Sequence, residues 1–422
     1  MLVSEFRRPQ VATIVERLAE PSARLVAVFG PRQTGKTTAV RQALEIAGRP
    51  DRFEAVDDLG TRAAPRTPEY AAGDSVRLPG PRDSRWLAEV WDDSRHRAWR
   101  SPRGFVLVLD EIQKIAGWSD VVKGLWDADR ANGCPLHVVI LGSAPLLMQA
   151  GLTESLAGRF EPIRFTHWSY SEMAEAFSFD LERYVFFGGY PGAVAYVDDF
   201  ERWVGYVRGA LIEPNIERDV LAMTRVDKPS LLRRLFYLGA SYSGQVVSYN
   251  KLVGQMQDAG NTTTLTRYLD LLSQAGLLTG FSKHTERPLS AKASTPKLNV
   301  LNTALMAVVS GYTFEEAQLD RTFRGRLVES AVGAHLANTA SPSTQVRYWR
   351  DRHDEVDFVL VRGPHIVGIE VKSGSDSPVT GGVAEFERRF RPRSTMIVGD
   401  AGVPLHRFLS VPADHWFEAR SA

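Results

Sequence analysis

The chain has 422 residues, 44% of them hydrophobic and 24% charged, a globular composition that excludes wholesale disorder and suits roughly two or three domains. Its 51 Lys and Arg nearly balance 50 Asp and Glu, so the net charge of +1 offers no whole-molecule attraction to nucleic acid or membrane, and any such contact must come from a local patch. One cysteine, Cys134, excludes an internal disulfide and a multi-cysteine metal site. No signal-peptide pattern and no apolar run of about 18 residues is present, so a cytoplasmic protein without membrane contact is expected.

In chain order, Arg24–Gly30 reads as a short apolar strand, followed by a glycine-containing loop and a helix over Lys36–Ala47 closed by Gly48. Further strands are predicted at Phe53–Asp57, Gly104–Asp110, His137–Ser143 and Glu161–Phe165, with helices between most of them. Such alternation implies a parallel sheet covered on both faces. Thr61–Arg85, rich in Pro, Gly, Arg and Ala, reads as a surface insertion. From Trp168 to about Arg225 the pattern is mostly helical, broken by the turn Gly188-Gly189-Tyr190-Pro191-Gly192. Lys228–Phe281 carries three short helices, with Pro229 in the first turn of the first, Asn261 or Thr262 capping the third, and a strand from Leu277. Three small helices followed by strands is the winged-helix outline. After Val300 come an amphipathic helix over Arg326–Asn338 and strands at Val346–Arg350, Val356–Val361, Ile366–Lys372 and Thr395–Gly399.

Gly30-Pro31-Arg32-Gln33-Thr34-Gly35-Lys36-Thr37-Thr38 fits the phosphate-binding pattern G-x-x-x-x-G-K-[ST] between a strand and a helix. Its backbone N–H groups would wrap phosphates, Lys36 would reach their oxygens, and the Thr37 hydroxyl would face Mg²⁺. The strand Phe105–Asp110 ends in two acids: Asp110 to hold the metal's hydration shell and Glu111 to polarise an attacking water. Together these predict ATP as substrate and Mg²⁺ as cofactor. Ser143, ending the next strand, is a candidate γ-phosphate sensor or a plain helix cap. Arg159 is a candidate finger toward a neighbouring subunit's phosphate, with Arg218 competing, and either also suits a structural ion pair.

A second constellation lies in Glu355-Val-Asp357-Phe358 and Ile369-Glu370-Val371-Lys372. On a strand Glu370 and Lys372 project from one face, with Asp357 on the strand before them and Glu329 on the helix upstream. Such a group can bind one or two Mg²⁺ or Mn²⁺ ions and activate water against a phosphodiester. Its plain alternatives are a solvated strand face or an active-site fold kept only for binding. Between Thr262 and Lys297, Arg267, Lys283, Arg287, Lys292 and Lys297 outnumber Asp270 and Glu286, a local +3 that would suit phosphate contacts on a recognition helix and wing.

The motifs GPRQTGKTT, LDEIQK, LGSA, ESLAGRF, GGYPG, IERDV and YWR…EVDFVL…IEVKSG, in this order, resemble the AAA-type (AAA_14) P-loop ATPases that end in a DUF4143 domain. The resemblance implies an AAA+/ASCE-type parallel sheet, a winged helix, and a C-terminal α/β domain similar to the PD-(D/E)xK restriction-endonuclease fold, its acids and lysine falling on Glu329, Asp357, Glu370 and Lys372. Leu301-Asn302-Thr303 departs from an Asp-Thr-Gly pattern, and the insertion after Asp57 is longer than the family's. The expected division is 1–167 ATPase, 168–227 helical linker, 228–299 winged helix and 300–422 nuclease-like. The expected function is ATP hydrolysis that moves a winged-helix and nuclease-like module on double-stranded DNA, within a homo-oligomer, a ring among the forms it could take. The alternative is an ATP-dependent switch or scaffold whose silent nuclease-like domain binds a protein partner in a defence or toxin–antitoxin setting. A kinase is a third reading, disfavoured because Glu111 suits water rather than another acceptor.

Overall fold

The computed structural model describes residues 6–21, 24–57, 81–143, 148, 152, 155–220, 228–256, 261–286, 295–372 and 381–418. The chain divides into two compact units, Met1–Phe165 and Thr166–Ala422.

In the first unit, strands β1 (Leu25–Phe29), β2 (Asp51–Ala55), β3 (Phe105–Asp110), β4 (Leu136–Gly142) and β5 (Phe160–Arg164) form one sheet in the order β2-β3-β4-β1-β5. Every pairing is parallel. β1, β3 and β4 are buried along their whole length, because residues of alternate parity feed two separate cores. Leu25, Ala27, Leu107, Leu109, Val138 and Ile140 pack with Trp86 and Trp91 on one face. Val26, Val28, Val106, Val108, Val139 and Leu141 pack with Ile14, Val40 and Leu44 on the other. The Lys36–Ala47 helix stands where its sequence placed it and ends at Gly48, φ 56°, in the left-handed conformation that stops helices. Of the expected insertion, only its end is described. Pro81–Asp83 lead into the Ser84–Arg100 helix, capped by Asp83, so Ser84 and Arg85 belong to a helix rather than to a surface loop.

The second unit holds a seven-stranded mixed sheet built from β6 (Gln245–Val246), β7 (Leu278–Lys283), β8 (Lys297–Val300), β9 (Gln345–Asp351), β10 (Asp354–Arg362), β11 (His365–Lys372) and β12 (Ser394–Gly399), in the order β12-β11-β10-β9-β7-β8-β6. Helices Pro229–Ser241, Tyr249–Gln255 and Thr262–Gln274 precede β7, and Asn261 caps the third through the Thr264 amide. β6, β8 and β7 are antiparallel neighbours. The far end of β7 pairs in parallel with β9, Ser282 opposite Arg347 and Lys283 opposite Tyr348, which carries the sheet on into the C-terminal strands. The 299/300 boundary expected from the sequence therefore falls inside β8. The Arg321–Thr339 helix is longer than the amphipathic segment in the sequence and buries residues on most of its faces.

The aromatic stretch around Tyr184–Tyr196 is core: Phe186 and Phe187 pack edge-on against each other at 4.9 Å and lie against Trp203 and Phe314. Gly188 turns the chain at φ 70°, and a Cβ there would sit 1.9 Å from Asn302 Oδ1. Asn302 accepts from the Gly189 amide at 3.2 Å and caps the Thr303–Ser310 helix, which gives the departure at Leu301–Thr303 a structural role. Among the described residues no helix is long and apolar enough to cross a membrane.

Candidate nucleotide site and C-terminal acidic cluster

The loop between β1 and the Lys36–Ala47 helix is shaped by close approaches. A Cβ on Gly30 would come within 2.1 Å of the Phe165 carbonyl oxygen, so only glycine passes there, and Gly35 opens the helix at φ 82°. Lys36 Nζ folds back over the loop, donating to the carbonyls of Gly30 at 2.9 Å and Pro31 at 2.7 Å. Arg8, which the sequence pattern did not single out, braces the loop by donating to the Thr34 carbonyl at 2.9 Å. Thr34 in turn donates its hydroxyl to Pro31 O at 2.9 Å.

Because β4 separates β1 from β3, the Lys36–Ala47 helix reaches across to the acids at the end of β3. The Thr37 hydroxyl donates to Asp110 Oδ2 at 2.9 Å. Burial pushes the Asp110 carboxyl above its usual range, against the pull of the Thr37 hydrogen bond. A hydroxyl and a carboxylate meeting here are hard oxygen donors of the kind Mg²⁺ takes, so the residues fit that ion. Glu111 adopts φ 58°, uncommon for a residue with a Cβ. One oxygen accepts from the Ser143 amide at 3.1 Å and the other from Gln113 Nε2 at 2.7 Å. Gln113 is a second residue that sequence reasoning missed, although it stands in the same short motif. Ser143 is brought beside Glu111 through its backbone, while its buried hydroxyl has no hydrogen-bond partner among the described residues.

Arg159 grips Asp127 with two nitrogens, at 2.8 and 3.1 Å, within its own chain. It therefore stands in the ion-pair arrangement, and would have to release Asp127 to reach another subunit. The Arg218 side chain lies outside the described residues.

In the second unit two of the four residues expected to cluster, Glu329 and Asp357, meet a fifth, Lys297, while Glu370 and Lys372 pair with each other beside them. Lys297, wholly buried, places Nζ 2.5 Å from Glu329 Oε1 and 2.9 Å from Asp357 Oδ1. Asp357 Oδ2 accepts the Val371 amide at 2.9 Å, and Lys372 pairs with Glu370 at 2.7 Å. Burial, then the charge of Asp357, pushes the Glu329 carboxyl up to about 7, with Lys297 opposing. The same two causes raise Glu370, opposed by Lys372. Burial by itself would lower the Lys297 ammonium, but Asp357 and Glu329 outweigh it and hold it above its usual value. Among the described residues no group of three or more Asp, Glu, His or Cys side chains is placed to hold a metal ion.

The placement of Lys297 also corrects the basic patch. Lys297 starts β8 pointing into the unit, not out from a wing, so it offers nothing to a phosphate. Arg267 is exposed and Lys283 half-buried, while Arg287 and Lys292 lie outside the described residues. The signal that could have found Lys297 was its setting: one of nine lysines, at the start of the short strand Lys297–Val300 whose Leu298 and Val300 are apolar.

Residues 22–174 match the model of an AAA domain (AAA_14), 178–316 a domain of unknown function (DUF8612), and 324–403 a domain of unknown function (DUF4143). No curated protein matches the chain. Among solved structures it is similar to the Walker-type ATPase PABY2304 of Pyrococcus abyssi, with 15% identity, coverage of 72% of this chain and 96% of that one, and a TM-score of 0.49. The Aeropyrum pernix Orc1 protein in complex with DNA shows 14% identity over 75% of this chain and 96% of that one, with a TM-score of 0.30. The Thermotoga maritima RuvB Holliday junction branch migration motor shows 16% identity over 68% and 94%, also at 0.30. Likenesses at this level carry no weight for substrate or partner.

Proposed function

We propose that this chain, which carries an AAA domain over 22–174 and a DUF4143 domain over 324–403, is a Mg²⁺-dependent ATPase whose nucleotide cycle drives the module of its second unit on DNA. The observation that carries the ATPase part is the meeting of Thr37 and Asp110 at 2.9 Å, with Glu111 next along the chain. When bound, Mg²⁺ supplies charge neutralisation at the phosphates. The loop amides and Lys36 hold the phosphate oxygens, the lysine exchanging the carbonyls of Gly30 and Pro31 for them. Thr37 and Asp110 hold the metal's shell. Glu111, oriented by Ser143 N–H and Gln113, polarises the attacking water and takes its proton as the bond to the γ-phosphorus forms and the bond from that phosphorus to the departing ADP oxygen breaks. Assembly into a homo-oligomer would let an arginine of one copy serve the phosphate of the next.

Phosphate release with Mg²⁺ tests this. Lys36→Ala should lose nucleotide binding, while Glu111→Gln should keep it and turn over at least about 10²-fold more slowly. Unimpaired turnover in Glu111→Gln would remove Glu111 from the chemistry. The helices Pro229–Ser241 to Thr262–Gln274 with β6, β8 and β7 support the winged-helix reading, and hence the DNA role. Duplex binding followed by anisotropy should weaken steeply with salt, as counterion release requires. A preparation that hydrolyses ATP and ignores duplex DNA at low salt would turn the reading to a second one: an ATP-dependent switch or scaffold whose C-terminal module is silent and binds a protein. The observation favouring that second reading is the buried Lys297 ammonium, which already pairs with Glu329 and Asp357.

A further inference from the structure

The carboxylates of the C-terminal cluster already surround a cation, and it belongs to the chain. Lys297 Nζ meets Glu329 Oε1 at 2.5 Å, Asp357 Oδ1 at 2.9 Å and the Asp357 carbonyl oxygen at 3.2 Å, with Glu355 Oε1 at 3.8 Å. The ammonium lies 4.7 Å from the centre of the Phe358 ring, and the lysine is wholly shielded from solvent. Two further oxygens are engaged: Asp357 Oδ2 by the Val371 amide and Glu370 Oε1 by Lys372. Glu370 Oε2 is the cluster oxygen that is buried and without a hydrogen-bond partner among the described residues.

A Mg²⁺ or Mn²⁺ ion would need several of these same oxygens at about 2 Å in an octahedral arrangement. To use Asp357 Oδ1 it would have to sit within a few ångströms of a fixed positive charge that water does not screen. Unlike a bound metal, that charge is tethered through β8 and cannot be chelated or exchanged.

We propose that Lys297 is the resident counter-ion of this cluster and excludes divalent metal from it, so that the module holds a nuclease-like arrangement of side chains without metal-dependent cleavage. This rests on the second reading above and gives it a chemical cause. Lys297 joins β8 to the Arg321–Thr339 helix and β10, and so does structurally what a metal would do in a cleaving site.

Crystals of the full chain soaked with ATP and Mn²⁺ should show anomalous density beside Thr37 and Asp110 and none against Asp357 or Glu370. A Mn²⁺ peak bridging Asp357 and Glu370 would overturn the proposal, and this measurement needs no variant. In solution, nucleotide-free Lys297→Met should bind about one Mn²⁺ per chain more than wild type by electron paramagnetic resonance, and lose it again when Asp357→Asn is added. A folded Lys297→Met that gains no Mn²⁺ overturns the role of Lys297 while leaving the silent-module reading standing. Plasmid nicking by wild type with Mn²⁺, abolished in Lys372→Ala, would overturn both.

Discussion

Gly188 shows how a single missing Cβ organises a segment that reads in the sequence only as a turn. Its φ of 70° and the 1.9 Å gap to Asn302 Oδ1 leave no room for a side chain, and Asn302 is held by the Gly189 and Ala304 amides. Gly188→Ala should displace Asn302, adding backbone strain to the loss of a buried cap, and lower stability by roughly 2–3 kcal/mol. Its denaturant midpoint should fall with the slope unchanged. At the same scale Lys36, Thr37, Asp110 and Glu111, the residues proposed to act on the nucleotide, were singled out by residue type and spacing, and the fold brings Thr37 and Asp110 together. Gln113 and Arg8 were not, because a glutamine and an arginine that orient a neighbour carry no pattern of their own.

The Arg321–Thr339 helix extends beyond the segment that looked amphipathic because both the sheet and the C-terminal residues cover it. His335, wholly buried on this helix, hydrogen-bonds through Nε2 with the Val411 carbonyl at 2.8 Å and lies edge-on to Phe408. Burial lowers its pKa to about 4, with the Val411 hydrogen bond opposing. In the unfolded chain the imidazole takes a proton near pH 6.5 that the folded one refuses. The stabilisation it brings is therefore complete above that pH and is lost as pH falls toward 4, by up to about 3 kcal/mol. His284, lowered to about 4 by burial and by Arg347, acts in the same direction. Glu329, pushed up to about 7, acts oppositely, since its folded form binds the extra proton and its contribution declines as pH rises from about 4.5 to 7. His335→Gln keeps a donor for Val411 but cannot titrate, so its stability measured between pH 7 and pH 4.5 should fall less steeply than that of wild type.

At the scale of the molecule, the segment that looks like a winged helix shares its sheet with the C-terminal strands through β7 and β9, and lends Lys297 to their acidic cluster. A fragment of residues 228–300 would expose the edge of β7 and leave the buried lysine without Glu329 and Asp357. It should not fold, whereas residues 166–422 should unfold in one cooperative transition followed by circular dichroism. A cooperatively folded 228–300 fragment would show that the strand pairing to β9 is dispensable.

What the sequence determined by itself was whatever near neighbours dictate. The glycine loop, the strand periodicities of the first unit, the Asn261 cap and the acids ending β3 each depend on a few adjacent residues, and backbone sterics and burial leave them little choice. Tertiary structure alone decided which distant groups would meet. Lys297 lies 32 residues from Glu329 and 60 from Asp357, and its side chain could have faced a phosphate in solvent or a carboxylate in the core. Strand register settled the matter. Once β8 pairs with β6 and β7 in the observed alignment, the lysine points inward, and a buried ammonium is tolerated only where carboxylates are already waiting for it.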